Sequence, residues 1–164
     1  MSTNSDYVPN HISNSRIYTT GKVIYASDMA KILRLQYEIG EVVKGTSSIV
    51  SLETVISAVG SAVTAFFGIF GQTAETAAEI IFSICGAKVP DEKEAIKDLI
   101  MSGYGALTEL NLYFSQHTNV EAVEVSALGF LELFDENNHK FTAVCSNEYG
   151  SFTGILINGT WNRP

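Results

Sequence analysis

A chain of 164 residues with a net charge of −8 is long enough to bury the core of one domain without disulfide or metal staples. Its ten Lys and Arg residues are scattered singly, which excludes the clustered basic surface that nucleic acid requires and disfavours an anionic lipid surface. Charged residues make up 17% of the chain, below the usual quarter, so the surface is polar and weakly charged or partly covered by partners.

Residues 1–15 are rich in Ser and Asn, contain Pro9 and predict a flexible arm. They lack the basic and apolar regions of a secretory signal, so the expectation is a cytoplasmic chain or one exported by a non-classical route. The stretch 16–26, RIYTTGKVIYA, is β-branched and aromatic about Gly21 and predicts one strand, or two with a turn. Ser27 or Asp28 then caps a helix over 28–44, where Met29, Ile32, Leu33, Ile39, Val42 and Val43 recur at helical spacing.

The run that follows is unusual for an acidic chain: the 21 residues from Thr54 to Ala74 carry no charge and no proline. About 20 such residues cross a bilayer core. The spacing predicts a helix over 49–70 with two different faces. Ile56, Val59, Val63, Phe66, Phe67 and Phe70 are bulky, while Gly60, Thr64 and Gly68 form a bare face that would admit another helix closely. Thr73 caps a shorter helix over 73–85, and the two predict an antiparallel αα-hairpin. Glu75 and Glu79 are costly in lipid unless protonated, so an inserting hairpin would be pH-sensitive at these two positions. The same apolar pattern also fits a helix buried inside the protein.

A long amphipathic pattern covers 91–115, weakened at Gly103 and Gly105, where the expectation is a kink or a break. After residue 117 the period changes to two. Strands at 122–133, 139–146 and 151–158, separated by the turn clusters Asp135–Asn138 and Asn147–Gly150, predict a three-stranded antiparallel meander. The chain therefore reads as α+β: one domain over 16–164, with helices in 27–115 packed on a sheet from 120–161 that strand 16–26 could extend.

Chemistry is sparse. His11, His117 and His139 lack partners at metal-ligand spacing, so neither a metal nor a cofactor is expected. Asp135-Glu136-Asn137-Asn138 lacks the glycine and glutamate of an EF-hand. Gly103-Tyr104-Gly105 lacks the third glycine and the preceding strand of a dinucleotide site. Cys145 with His117 or His139 is the nearest approach to a thiol–imidazole pair, and Cys145 falls mid-strand. Cys85 and Cys145 read as two lone buried thiols.

The expected function is non-enzymatic. The first reading is a membrane-active, pore-forming or toxin-like protein that sequesters the apolar hairpin 49–85, its partners lipid or further copies of itself. The alternative is a carbohydrate- or protein-binding, self-assembling module. It would use the meander's open edges and a patch of Asn147, Tyr149, Phe152, Asn158 and Trp161, whose rings offer flat apolar contact with polar edges.

Overall fold

The stretch around Gly21 forms two strands, β1 (Ser13–Thr19) and β2 (Lys22–Tyr25), in a computed structural model that describes residues 13–164. Residues 1–12 of the expected arm lie outside the described residues, and the backbone of residues 13–15 belongs to β1. Both strands pair antiparallel with one later stretch, β3 (Val120–Val125) and β4 (Leu128–Phe134). The register carries through the interruption unchanged: Thr19 lies opposite Leu128, and Lys22 opposite Val125. Gly21 at φ 71° donates its N–H to Val125 O at 3.0 Å, holding the bend. At this bend a long two-stranded ribbon divides into two sheets, ordered β1-β4-β5 and β2-β3-β6-β7.

The remaining strands are β5 (Lys140–Val144), β6 (Phe152–Ile157) and β7 (Thr160–Asn162). The architecture is α+β, as the sequence predicts, with the C-terminal strand meander β3–β7 distributed over two small antiparallel sheets where one was expected. Asp135 builds its turn by accepting the N–H groups of Asn137 and His139 on Oδ1 at 2.8 and 2.9 Å. Asn158 and Gly159, both at positive φ, make the tight turn into β7 that an Asn-Gly pair favours.

Five α-helices lie between β2 and β3. The first, α1 (Met29–Lys44), buries Met29, Ile32, Leu35, Ile39, Val42 and Val43, and Gly45 ends it at φ 82°. The expected helix over 49–70 is a correction. It divides into α2 (Ile49–Val59) and α3 (Ser61–Phe66), with Gly60 between them at φ 86°. Gly68 at φ 76° sits in the turn beyond, so Gly60, Thr64 and Gly68 share no helical face. Among the described residues no helix is long and apolar enough to cross a membrane. The fourth helix, α4 (Ala74–Gly86), starts where Thr73 accepts the Thr76 N–H at 3.1 Å, and it packs against α2 as the hairpin pattern predicts.

The fifth helix, α5 (Pro90–Gln116), runs unbroken through Gly103 and Gly105, where a kink or a break was expected. Gly103 serves close approach instead: a Cβ built there would lie 1.7 Å from Val144 O. The backbone of α5 thus rests directly on the edge of β5. Beside it the fully buried Gln36 of α1 donates from Nε2 to Ile100 O (3.0 Å) and Val144 O (2.8 Å) and accepts from Val144 N (3.1 Å). Thr142 N, the next outward group on β5, donates to Phe67 O at 2.8 Å. Two segments far apart in sequence therefore close a sheet edge that would otherwise be open to pairing.

Candidate functional site

The apolar run is mostly core. Leu52, Val55, Ile56, Val59, Val63, Phe66 and Phe67 are buried, and Phe66 packs edge-on against Phe67 and Phe130 at centroid distances of 5.3 and 5.4 Å. Phe70 is the exception, 71% exposed. Its turn is built by alternation. Gly68 and Gly71 take positive φ, at 76° and 66°, buried Ile69 anchors the segment, and Phe67 O is bonded to β5. Glycine at these positions reverses the chain without strain and leaves the ring between them facing outward. Gly68 also lies against Thr142, where a Cβ would come within 3.2 Å of its hydroxyl.

Two clefts flank Phe70. One, of about 200 Å³, runs past Gln72 and Ile80 to His139 and Lys140. The other, of about 240 Å³, is lined by Ala62 and Phe66 from α3, Lys22 and Tyr25 from β2, and Asp28 at the start of α1. The bend at Gly21 turns Lys22 onto the same side as Phe66 and Phe130, and its Nζ lies 4.9 and 5.7 Å from those ring centroids. Partial burial holds the Lys22 ammonium below the usual lysine range, because no carboxylate offsets the lost hydration. Glu124 is committed elsewhere, accepting from Arg163 Nη1 at 2.7 Å and from Thr153 Oγ1 at 2.9 Å. Asp28 makes no capping hydrogen bond to α1. Neither the Lys22 ammonium nor the Asp28 carboxylate has a hydrogen-bond or ion-pair partner among the described residues.

The other expected site residues are dispersed. Glu75 and Glu79 are exposed on α4. The five-residue patch is divided between two faces. Tyr149 stacks on Phe152 at 5.6 Å, and Phe152 packs on Tyr113 of α5 at 4.7 Å, on the side of the sheet that meets the helices. Trp161 lies opposite Leu156 and covers Gly154 on the outer side, with the Arg163 guanidinium 4.8 Å from its ring. Asn147 and Asn158 are exposed turn residues. No common patch forms, because β-strand alternation with a register shift at Glu124/Val125 sends the aromatics of β6 and β7 to opposite faces.

Groups that could carry catalysis are tied up singly. His139 Nδ1 lies 3.0 Å from Asp135 Oδ2, and His117 stacks on Tyr113 at 4.1 Å. Cys145 is buried, and burial pushes the Cys85 thiol up to about 12. Among the described residues no three His, Cys, Asp or Glu side chains are grouped to hold a metal ion. Sequence reasoning missed Lys22, Tyr25 and Asp28. Their only local signal was a charged or aromatic residue beside a turn, and the site exists because α3 folds back over β2. Comparison with family models, curated proteins and solved structures finds no match to this chain.

Proposed function

We infer that the protein is a non-enzymatic, membrane-active protein that meets lipid through the turn carrying Phe70. The observation that supports this reading is one large aromatic ring, 71% exposed, on a glycine-bounded turn beside a cleft with further aromatic walls. Magnitudes favour the turn over the whole hairpin as the first contact. Withdrawing Leu52, Val55, Ile56, Phe67, Ile81 and Ile84 from the core forfeits about 1.5–3 kcal/mol for each side chain. Six such losses match or exceed the 5–15 kcal/mol that stabilises a typical domain, so inserting 49–85 means refolding the chain. Burying the exposed part of Phe70 costs nothing inside the fold and contributes about 1–2 kcal/mol. That is weak, reversible association of the kind a single apolar anchor provides.

Vesicle co-sedimentation at high lipid concentration tests the reading, with Phe70→Ser as the informative variant and dye leakage followed at pH 7 and pH 5. Binding that is lost in Phe70→Ser supports it. Absence of both binding and leakage at either pH removes it.

A second reading, self-association, has its own observation. The β5 edge is closed by Gln36 and Phe67, whereas no strand covers the outer edge of β1–β2 among the described residues. Ile17 and Tyr18 stand on that edge, Tyr18 at 67% exposure. An open edge with apolar side chains adds strands readily. Light scattering across a concentration series, with Ile17→Lys as the blocked edge, decides it: a mass independent of concentration in both proteins removes self-association.

A further inference from the structure

The geometry points to a headgroup site in the 240 Å³ cleft beside Phe70: it binds a phosphocholine zwitterion, phosphate on Lys22 and quaternary ammonium between Tyr25, Phe70 and Asp28. This deepens the lipid reading and rests on it for the source of the ligand.

Three features of the cleft carry the inference. The first is its pair of uncommitted opposite charges. Lys22 and Asp28 line one cleft, form no ion pair with each other, and their charged groups have no other hydrogen-bond or ion-pair partner among the described residues. A ligand with only negative charge would meet Asp28, and one with only positive charge would meet Lys22. A zwitterion satisfies both. The second is the walls. Tyr25 and Phe70, 45% and 71% exposed as residues, line the cleft together with Phe66, and aromatic faces with a nearby carboxylate are the chemistry that recognises quaternary ammonium. Phe66 and Phe130 already hold the Lys22 ammonium in place from below, which leaves its remaining donors for phosphate oxygens.

The third is size and whole-molecule charge. At about 240 Å³ the cleft falls below the roughly 300–1,000 Å³ of pockets for drug-sized ligands, the scale of a headgroup. A chain of net charge −8 is repelled by anionic membranes, whereas a zwitterionic surface imposes no such penalty. Phe70 beside the cleft then reaches the apolar layer beneath the headgroup it holds.

The experiment titrates the full chain with free phosphocholine, followed by amide and methyl NMR shifts. In parallel the chain is co-sedimented with phosphatidylcholine vesicles and with phosphatidylglycerol vesicles. The expected result is millimolar binding of free phosphocholine with shifts confined to the Lys22–Asp28 and Ala62–Phe70 segments. Lys22→Met and Asp28→Asn should each weaken it by about tenfold or more. Asp28→Asn changes no volume and keeps the test decisive if Lys22→Met fails to fold. Phosphatidylcholine vesicles should carry the protein down and phosphatidylglycerol vesicles should not. Free phosphocholine binding without vesicle binding keeps the site and rejects the lipid reading. Vesicle binding that depends on Phe70 and ignores headgroup, with no response to free phosphocholine, keeps the lipid reading and overturns the site. Unchanged affinity in both charge variants also overturns it.

Discussion

Replacing Gly103 by alanine sets two effects of opposite sign against each other. Gly103 lies inside a 27-residue helix, where Gly→Ala by itself stabilises by about 1 kcal/mol. The added Cβ, however, would lie 1.7 Å from Val144 O and 2.2 Å from Val144 C. Both are backbone atoms of a paired strand, so α5 must lift away from β5. Overpacking of this kind costs about 1–3 kcal/mol. Displacing Val144 also strains the Gln36 bonds, and a buried donor left unsatisfied costs about 1–3 kcal/mol more. The net expectation is a loss of about 1–5 kcal/mol, or roughly 2–20 °C in Tm for a chain this long. Gly105, two residues on, is the control: it is exposed, and a Cβ there meets nothing within 4 Å. Gly105→Ala should raise Tm by about 2–4 °C. Thermal and urea unfolding of the three proteins reads both shifts. If Gly103→Ala is as stable as the parent, or if both variants move the same way, the close approach of α5 to β5 is wrong.

Further outcomes follow from the same reasoning. Gln36→Leu keeps the volume and removes three buried hydrogen bonds, so it should cost about 3–5 kcal/mol, with amide exchange at Val144 accelerating first. Lys88 is 4% exposed and its Nζ has no hydrogen-bond partner among the described residues, so Lys88→Met should stabilise by about 1–3 kcal/mol in chemical denaturation. Burial, partly opposed by Glu92 and Cys85, lowers the Lys88 pKa in the folded state. The unfolded chain therefore holds that proton to higher pH, and the penalty shrinks as pH rises towards the ordinary lysine value of about 10.4. The advantage of Lys88→Met over the parent should accordingly narrow with rising pH; an advantage that widens would reverse the assignment. Gly159→Val, at φ 75° in the β6–β7 turn, should destabilise by about 1–2 kcal/mol and shift Trp161 fluorescence, since the turn sets the register of Trp161 over Gly154.

Local features were legible in the sequence, and long-range ones were not. Met29–Val43 spells its helix by period, Thr73 announces a cap, and Asn158-Gly159 a hairpin, because each acts within one or two turns of chain. The apolar run misled for a physical reason. Its period is helical across Gly60 and Gly68, but hydrophobic spacing carries no information about φ, and both glycines adopt positive values that end helices. Gly103 read as a weak point in a helix, since its purpose depends on Val144, more than forty residues later. The division into two sheets was hidden likewise: it needs Thr20–Gly21 and Ser126–Ala127 to bend together across a ribbon. The same bend brings Lys22 over Phe66 and creates the cleft, so the candidate site was the least readable part of the chain.

The continuous register between the first strands and β3–β4 also bears on the order of assembly during synthesis. Thr19 and Leu128, its bonded partners, are 109 residues apart, and at about 5–20 residues per second they emerge about 5–20 seconds apart. During that interval the five helices are made one after another, while Gln36 still lacks Val144 and Gly103, once made, lacks the strand it rests on. The nascent chain must therefore hold its apolar hairpin together without a sheet to cover it. An acidic, weakly charged exterior and a turn that keeps most of its phenylalanines inward suit a chain that spends its first seconds half built.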